Sequence, residues 1–127
     1  MIDMSVNMID EKLDFALAGL LGWVNWWDGV RLIWVDGATN EFRRKVTDWH
    51  PSSDPAASLE IQVAACEVDA SLWARNMLVV RGMSTKMACE IRHLALPMVA
   101  QLCNASPRER AEAAYMTLSS HPLREDI

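Results

Sequence analysis

The sequence predicts an α+β domain: an antiparallel sheet of about four to five strands, built from hairpins, flanked by about three helices. Three observations carry this. An apolar run at helical spacing opens the chain, two Asp-Gly pairs sit between β-rich runs, and two later segments start with a capping residue followed by Pro. At 127 residues the chain has the length of one ordinary domain. Residues 1–127 are therefore read as a single unit, with 1–7 and 119–127 as loosely ordered tails.

Ile9, Leu13, Ala16, Leu17, Leu20 and Leu21 fall on one face of a helix, with Asp10, Glu11 and Lys12 on the other side of its first turns. Acidic residues suit a helix N-terminus and Gly22 is a natural stop. Next, Val24, Trp26 and Trp27 precede Asp28-Gly29, and Val30 to Val35 precede Asp36-Gly37. Asp-Gly between such runs marks a hairpin, because Gly supplies positive φ without a Cβ clash. The more polar run Asn40–Trp49, with Arg43, Arg44 and Lys45, fits an edge strand or a covering loop, with the strand favoured. Asp54 as N-cap and Pro55 as first helical residue open a second helix expected to end near Glu67.

Leu72–Arg81 and Thr85–Leu94 then read as a further hairpin around Gly82-Met83-Ser84. Met87, Cys89, Ile91 and His93 alternate with Ala88, Glu90, Arg92 and Leu94 at period two, whereas the first run could also end a helix. Pro97–Asn104 is apolar and open between helix and strand. Ser106 with Glu109 three places on forms a capping box, and a last helix follows with Ala111, Ala114, Tyr115 and Leu118.

Composition narrows the function classes. Twelve Lys plus Arg against seventeen Asp plus Glu give a net charge of −5, which argues against binding nucleic acid directly through its phosphates. Cys66, Cys89 and Cys103 are odd in number, far apart and set among apolar neighbours, a reduced intracellular pattern. They follow no metal-ligand spacing with His50, His93 or His121. The acidic N-terminus is unlike a secretory signal, and no apolar run reaches membrane-spanning length. A soluble, cytoplasmic protein without metal or cofactor is expected. No GxSxG, Walker, HExxH or paired-carboxylate motif appears. Ser52 and Ser53 are explained by turn chemistry and His93 by a strand position, so a non-enzymatic protein is expected.

Three segments carry a family resemblance. Asp14-Phe15-Ala16-Leu17-Ala18-Gly19-Leu20-Leu21-Gly22-Trp23 resembles the opening helix, ending in Gly-Trp, of the small bacteriophage proteins with an "ABA sandwich" domain. His50-Pro51-Ser52-Ser53-Asp54-Pro55 is similar to the stretch before their second helix, and Ser106–Ala114 to their alanine-rich last helix. The resemblance implies an α/β/α sandwich encoded by a phage or prophage, and it brings no activity or catalytic residues. His50 stands where those proteins usually carry an aromatic residue, and Trp-rich hairpins are not among their features.

The six Trp, against one Tyr and two Phe, are the outstanding compositional feature. Trp26 and Trp27 are neighbours, and strand neighbours point to opposite faces. In a one-sided sheet one of them lies outside as an anchor for a partner, while in a full sandwich both are core. The candidate partner-binding residues are Trp26, Trp27, Asp28, Arg31, Trp34 and Asp36. Arg43, Arg44 and His50 are candidates for a small ligand.

The leading expectation is a phage accessory protein that inhibits a host bacterial defence system by stoichiometric binding to a protein target. A nuclease-based immune complex such as a CRISPR effector would suit an acidic inhibitor. The alternatives are a protein that sequesters a cyclic nucleotide between Trp faces and Arg31, Arg43 or Arg44, and a homo-oligomeric structural or accessory protein such as a homodimer.

Overall fold

The computed structural model describes residues 6–121. Helix α1 (Asp10–Leu20) leads through Gly22, at φ 86°, into strands β1 (Trp23–Trp27), β2 (Leu32–Asp36) and β3 (Phe42–Lys45). The strands form an antiparallel meander in the order β1-β2-β3. A single 3-10 turn (Val46–Asp48) and the His50–Asp54 turn deliver the chain to α2 (Pro55–Val80), followed by α3 (Thr85–Glu90), α4 (Leu96–Cys103) and α5 (Pro107–Ser120).

Helix α1, the first two hairpin turns, the start of α2 at Asp54-Pro55 and the capping box of α5 all form where the sequence places them. Asp54 accepts from the Ala57 N–H, and in α5 the Ser106 and Glu109 side chains each accept from the other's backbone. The third run does pair, over Phe42–Lys45, with a bulge opposite Trp34 and Val35.

The further hairpin expected over Leu72–Leu94 does not form. Among the described residues the sheet therefore has three strands rather than four to five, and there are five helices rather than about three. Leu72–Arg81 belongs to α2, which runs past Glu67 and is broken at Asp69 (φ −163°, ψ 88°). The Asp69 carboxylate accepts from the Leu72 N–H and so restarts the helix. Trp73, Asn76 and Met77 then face inward at helical spacing, and this burial overrides the β-branched tail of the segment. Thr85–Leu94 starts as α3, because the Ser84 hydroxyl accepts from the Met87 N–H, and continues without regular structure. The alternation there is a coincidence of composition. Pro97–Asn104 resolves as helix, and α5 runs through Ser120, two residues into the stretch expected as tail; 1–5 and 122–127 lie outside the described residues.

The core lies between α1, α2 and α5, with Leu13, Leu17, Ile61, Ala65, Met77, Ala111 and Ala114 fully buried. Small residues along α5 let α2 approach closely, and the buried Asn76 Nδ2 donates to Thr117 Oγ1 at 2.9 Å across that contact. Trp34 joins this core from β2, edge-on to Phe15 of α1 at 4.9 Å between centroids. The helices thus cover one face of the sheet, and α3 and α4 gather on α2 instead of crossing to the other face. The α/β/α sandwich expectation is corrected to two layers: among the described residues no helix lies on the outer sheet face, and Val24, Trp26 and Phe42 stand exposed on it.

Candidate interaction surface on the Trp hairpin

The first hairpin is held by its own turn chemistry. Asp28 Oδ1 accepts from the N–H groups of Val30 and Arg31 at 2.8 and 2.9 Å, and Gly29 takes φ 103°. Those N–H bonds hold the Asp28 carboxyl below its ordinary range. Asp36 repeats the pattern with Ala38 and Thr39 and also accepts from Arg43 at 2.7 Å. The Arg43 contact, followed by the two N–H bonds, pulls the Asp36 pKa down to about 2. Gly37 is needed for a different reason from Gly29: a Cβ there would lie 2.7 Å from the Gly22 carbonyl oxygen. The positive φ of this turn falls on Asn40 (63°).

The pairing register sorts the side chains by face. Trp34 pairs with Asn25 and Arg44, which places these three on the inner side. Val24, Trp26, Ile33, Val35 and Phe42 share the outer side. Val35 is buried between its cross-strand neighbours Val24 and Phe42, whereas Val24, Trp26 and Phe42 remain 51%, 44% and 59% exposed. Trp27 is on the inner side but 58% exposed, because the hairpin overhangs the helix layer at its tip. Val30 and Leu32 are exposed there too. Neither of the two arrangements weighed for the adjacent Trp pair holds: both rings stand outside.

The six predicted partner-binding residues therefore separate. Trp26 and Trp27 present rings to solvent; Asp28 builds the turn beside them, while Asp36, opposite Trp23, builds the turn at the other end of the strands. Arg31 is exposed and makes no ion pair among the described residues, while Trp34, 4% exposed, is core. Val24, Val30, Leu32 and Phe42 join the surface without having been singled out. The alternation of Val24 with Trp26 was the available signal for one of them.

The predicted ligand residues are engaged elsewhere. Arg43 is tied to Asp36, and Arg44 donates to Glu60 Oε2 at 2.7 Å. Arg44 also lies over the Trp23 ring at 5.9 Å, while Trp49 Nε1 donates to the other Glu60 oxygen at 3.0 Å and the Trp49 ring packs on Trp23. This Trp23–Trp49–Arg44–Glu60 cluster joins the sheet to α2. His50 Nδ1 lies 3.5 Å from Asp14 Oδ2, and its Nε2 contacts the Thr47 carbonyl at 2.8 Å. The two rim a cavity of about 120 Å³ with Glu11, Phe15 and Trp49. Asp14 itself accepts from the Ser52 N–H at 2.9 Å; burial pushes its carboxyl above the ordinary range, and the Ser52 N–H and His50 only partly offset this.

With this geometry in hand, comparisons with known proteins add no relative: no family model, curated protein or solved structure matches the chain. Among the described residues no helix is long and apolar enough to cross a membrane. No group of three or more His, Cys, Asp and Glu side chains converges there. Cys66, whose thiol burial pushes up, is half-buried, and Cys89 and Cys103 are exposed.

Proposed function

We propose that the protein acts by stoichiometric binding to a protein target, gripping it with the outer sheet face and the overhanging tip of the first hairpin. The observation that carries this is the simultaneous exposure of Trp26 and Trp27 on a turn fixed by Asp28. Two large rings held rigidly in water are unfavourable in isolation and are the residue type that dominates interface energetics. With Val24 and Phe42 on the outer face and Val30 and Leu32 at the tip, they leave roughly 500 Å² of apolar area open over the two sides of the hairpin.

The target class follows from charge and from the phage resemblance. A net charge of −5 favours partners with basic surfaces, which supports reading the target as a nuclease-based immune complex of the bacterial host and the protein as its inhibitor. The cyclic-nucleotide alternative draws less support, since Arg43 and Arg44 already hold carboxylates.

Immobilised protein incubated with lysate of a defence-carrying host is expected to retain an immune or nucleic-acid-handling component. A Trp26→Asp variant of unchanged circular dichroism is expected to lose it. Retention of no such component would remove the target class, and undiminished retention by the variant would remove this face.

A further inference from the structure

The two edges of the sheet are built differently. β3 carries Arg43, Arg44 and Lys45 in a row beside a bulge, which blunts it against pairing with another strand. β1 reads Trp23-Val24-Asn25-Trp26-Trp27, with no charge, no Pro and no bulge. Its hydrogen-bonding phase is fixed at both ends: the Asp28 N–H donates to the Arg31 carbonyl at 3.1 Å and the Gly37 N–H to the Gly22 carbonyl at 2.9 Å. Bonded and non-bonded pairs alternate along an antiparallel ladder. Val24 and Trp26 therefore bond to β2, and Trp23, Asn25 and Trp27 direct their N–H and C=O groups away from it. Among the described residues none of these outward groups has a hydrogen-bond partner.

We infer that β1 is the pairing edge of a symmetric dimer, and that its occupant is β1 of a second copy, antiparallel, with the two-fold axis at Asn25. The three outward residues are centred on Asn25, so this one register pairs Asn25 with the partner's Asn25 and Trp23 with the partner's Trp27. All the outward donors and acceptors are satisfied. The strand reads nearly the same in both directions, so Trp meets Trp on the inner side and Val24 meets the partner's Trp26 on the outer side. The result is a continuous six-stranded sheet whose ends are the two basic β3 strands.

Area sets the strength. The exposed parts of Val24, Trp26 and Trp27 amount to roughly 330 Å² per copy, and with the backbone edge the total stays below the ~1,200 Å² of standard stable interfaces. The dimer is accordingly a concentration-dependent one. The pairing uses the edge and needs no target, so it stands or falls separately from the proposed inhibition.

The test is mass against concentration by analytical ultracentrifugation. The weight-average mass is expected to rise from 14.3 kDa towards twice that value between micromolar and millimolar protein. Asn25→Pro removes an outward N–H and leaves the β1–β2 ladder intact, and is expected to remain monomeric. Register is read independently by cysteine crosslinking in a Cys89→Ser, Cys103→Ser background. Asn25→Cys is expected to form an intermolecular disulfide under mild oxidation, since bonded pairs bring Cα atoms to ~5.5 Å. Val24→Cys, whose partner is Trp26, is expected to crosslink far more slowly. A mass fixed at 14.3 kDa throughout, a dimer untouched by Asn25→Pro, or crosslinking of Val24→Cys in preference to Asn25→Cys would each overturn the inference.

Discussion

Asp14 shows how one side chain is held at a cost. It is 5% exposed, accepts a single backbone N–H from Ser52 and has His50 at 3.5 Å. Because burial raises its folded pKa above the ordinary carboxylate value near 3.8, the folded state binds the proton more tightly than the unfolded chain. Its contribution to stability is therefore greatest at low pH and declines as pH rises through the window above 3.8. Asp28 and Asp36, with lowered values, have the opposite sign: they stabilise above 3.8 and lose this as pH falls, for Asp36 towards about 2. Asp14→Asn keeps an acceptor for Ser52 and removes the titration, so its melting temperature relative to wild type should climb between pH 4 and 7. Asp14→Ala strands the buried Ser52 N–H and should cost about 1–3 kcal/mol in urea unfolding at neutral pH. Parallel pH profiles for wild type and Asp14→Asn would disprove the assignment. Nothing in the sequence announced this contact. His50 drew notice as a possible ligand residue, but its neighbour is set by how α1 lies against the turn before α2, which only tertiary packing decides.

At the scale of elements, legibility followed the strength of local signals. Asp28-Gly29, Asp54-Pro55 and the Ser106–Glu109 box each satisfy orphan backbone groups within a few residues, so their sequence is their mechanism. Leu72–Leu94 misled because period two in a short apolar run cannot outweigh burial decided by a distant helix: Asn76 bonds Thr117 of α5 and Met77 is fully buried in the core. The caps that would have corrected the assignment, Asp69 and Ser84, were visible as residue types three positions before Leu72 and Met87. Asp69 leaves helical geometry and restarts α2, so Asp69→Ala should destabilise the fold by about 1 kcal/mol, while Asp69→Asn, which retains the acceptor, should lose less. Chemical denaturation of the two variants checks this, and equal loss from both would show that the carboxylate acts through its charge, for which His121 at 3.2 Å is the partner.

Across the whole molecule, packing is distributed unevenly, and this bears on which parts bind and which parts move. α1, α2 and α5 share the core, while α4 buries none of its residues, and Leu96 and Val99 face solvent. Apart from Ala88, which is buried, and Leu102, which packs against the core, the α3–α4 segment is attached by polar ties. Arg75 Nη2 donates to the Ile91 carbonyl at 2.8 Å and Arg81 donates to Gln101 at 3.0 Å, while the second Arg81 contact, to Glu109 at 2.7 Å, reaches α5. A cavity of about 300 Å³ with Met83, Met87 and Met98 in its wall lies under it. Such ties are worth little in water compared with apolar burial, so this segment should open without the core opening. In native-state hydrogen exchange the amides of 85–103 should exchange with opening free energies several kcal/mol below those of α2 and α5. Arg81→Ala should lower them further while leaving the α5 amides of Ala113–Leu118 unchanged. Uniform protection across all five helices would mean that α3–α4 is part of the cooperative core after all. The Trp hairpin is the contrasting case: it is equally exposed, yet its turns are tied by Asp28 and Asp36, so it should present its rings on a fixed frame, the property that keeps the entropic cost of gripping a partner low.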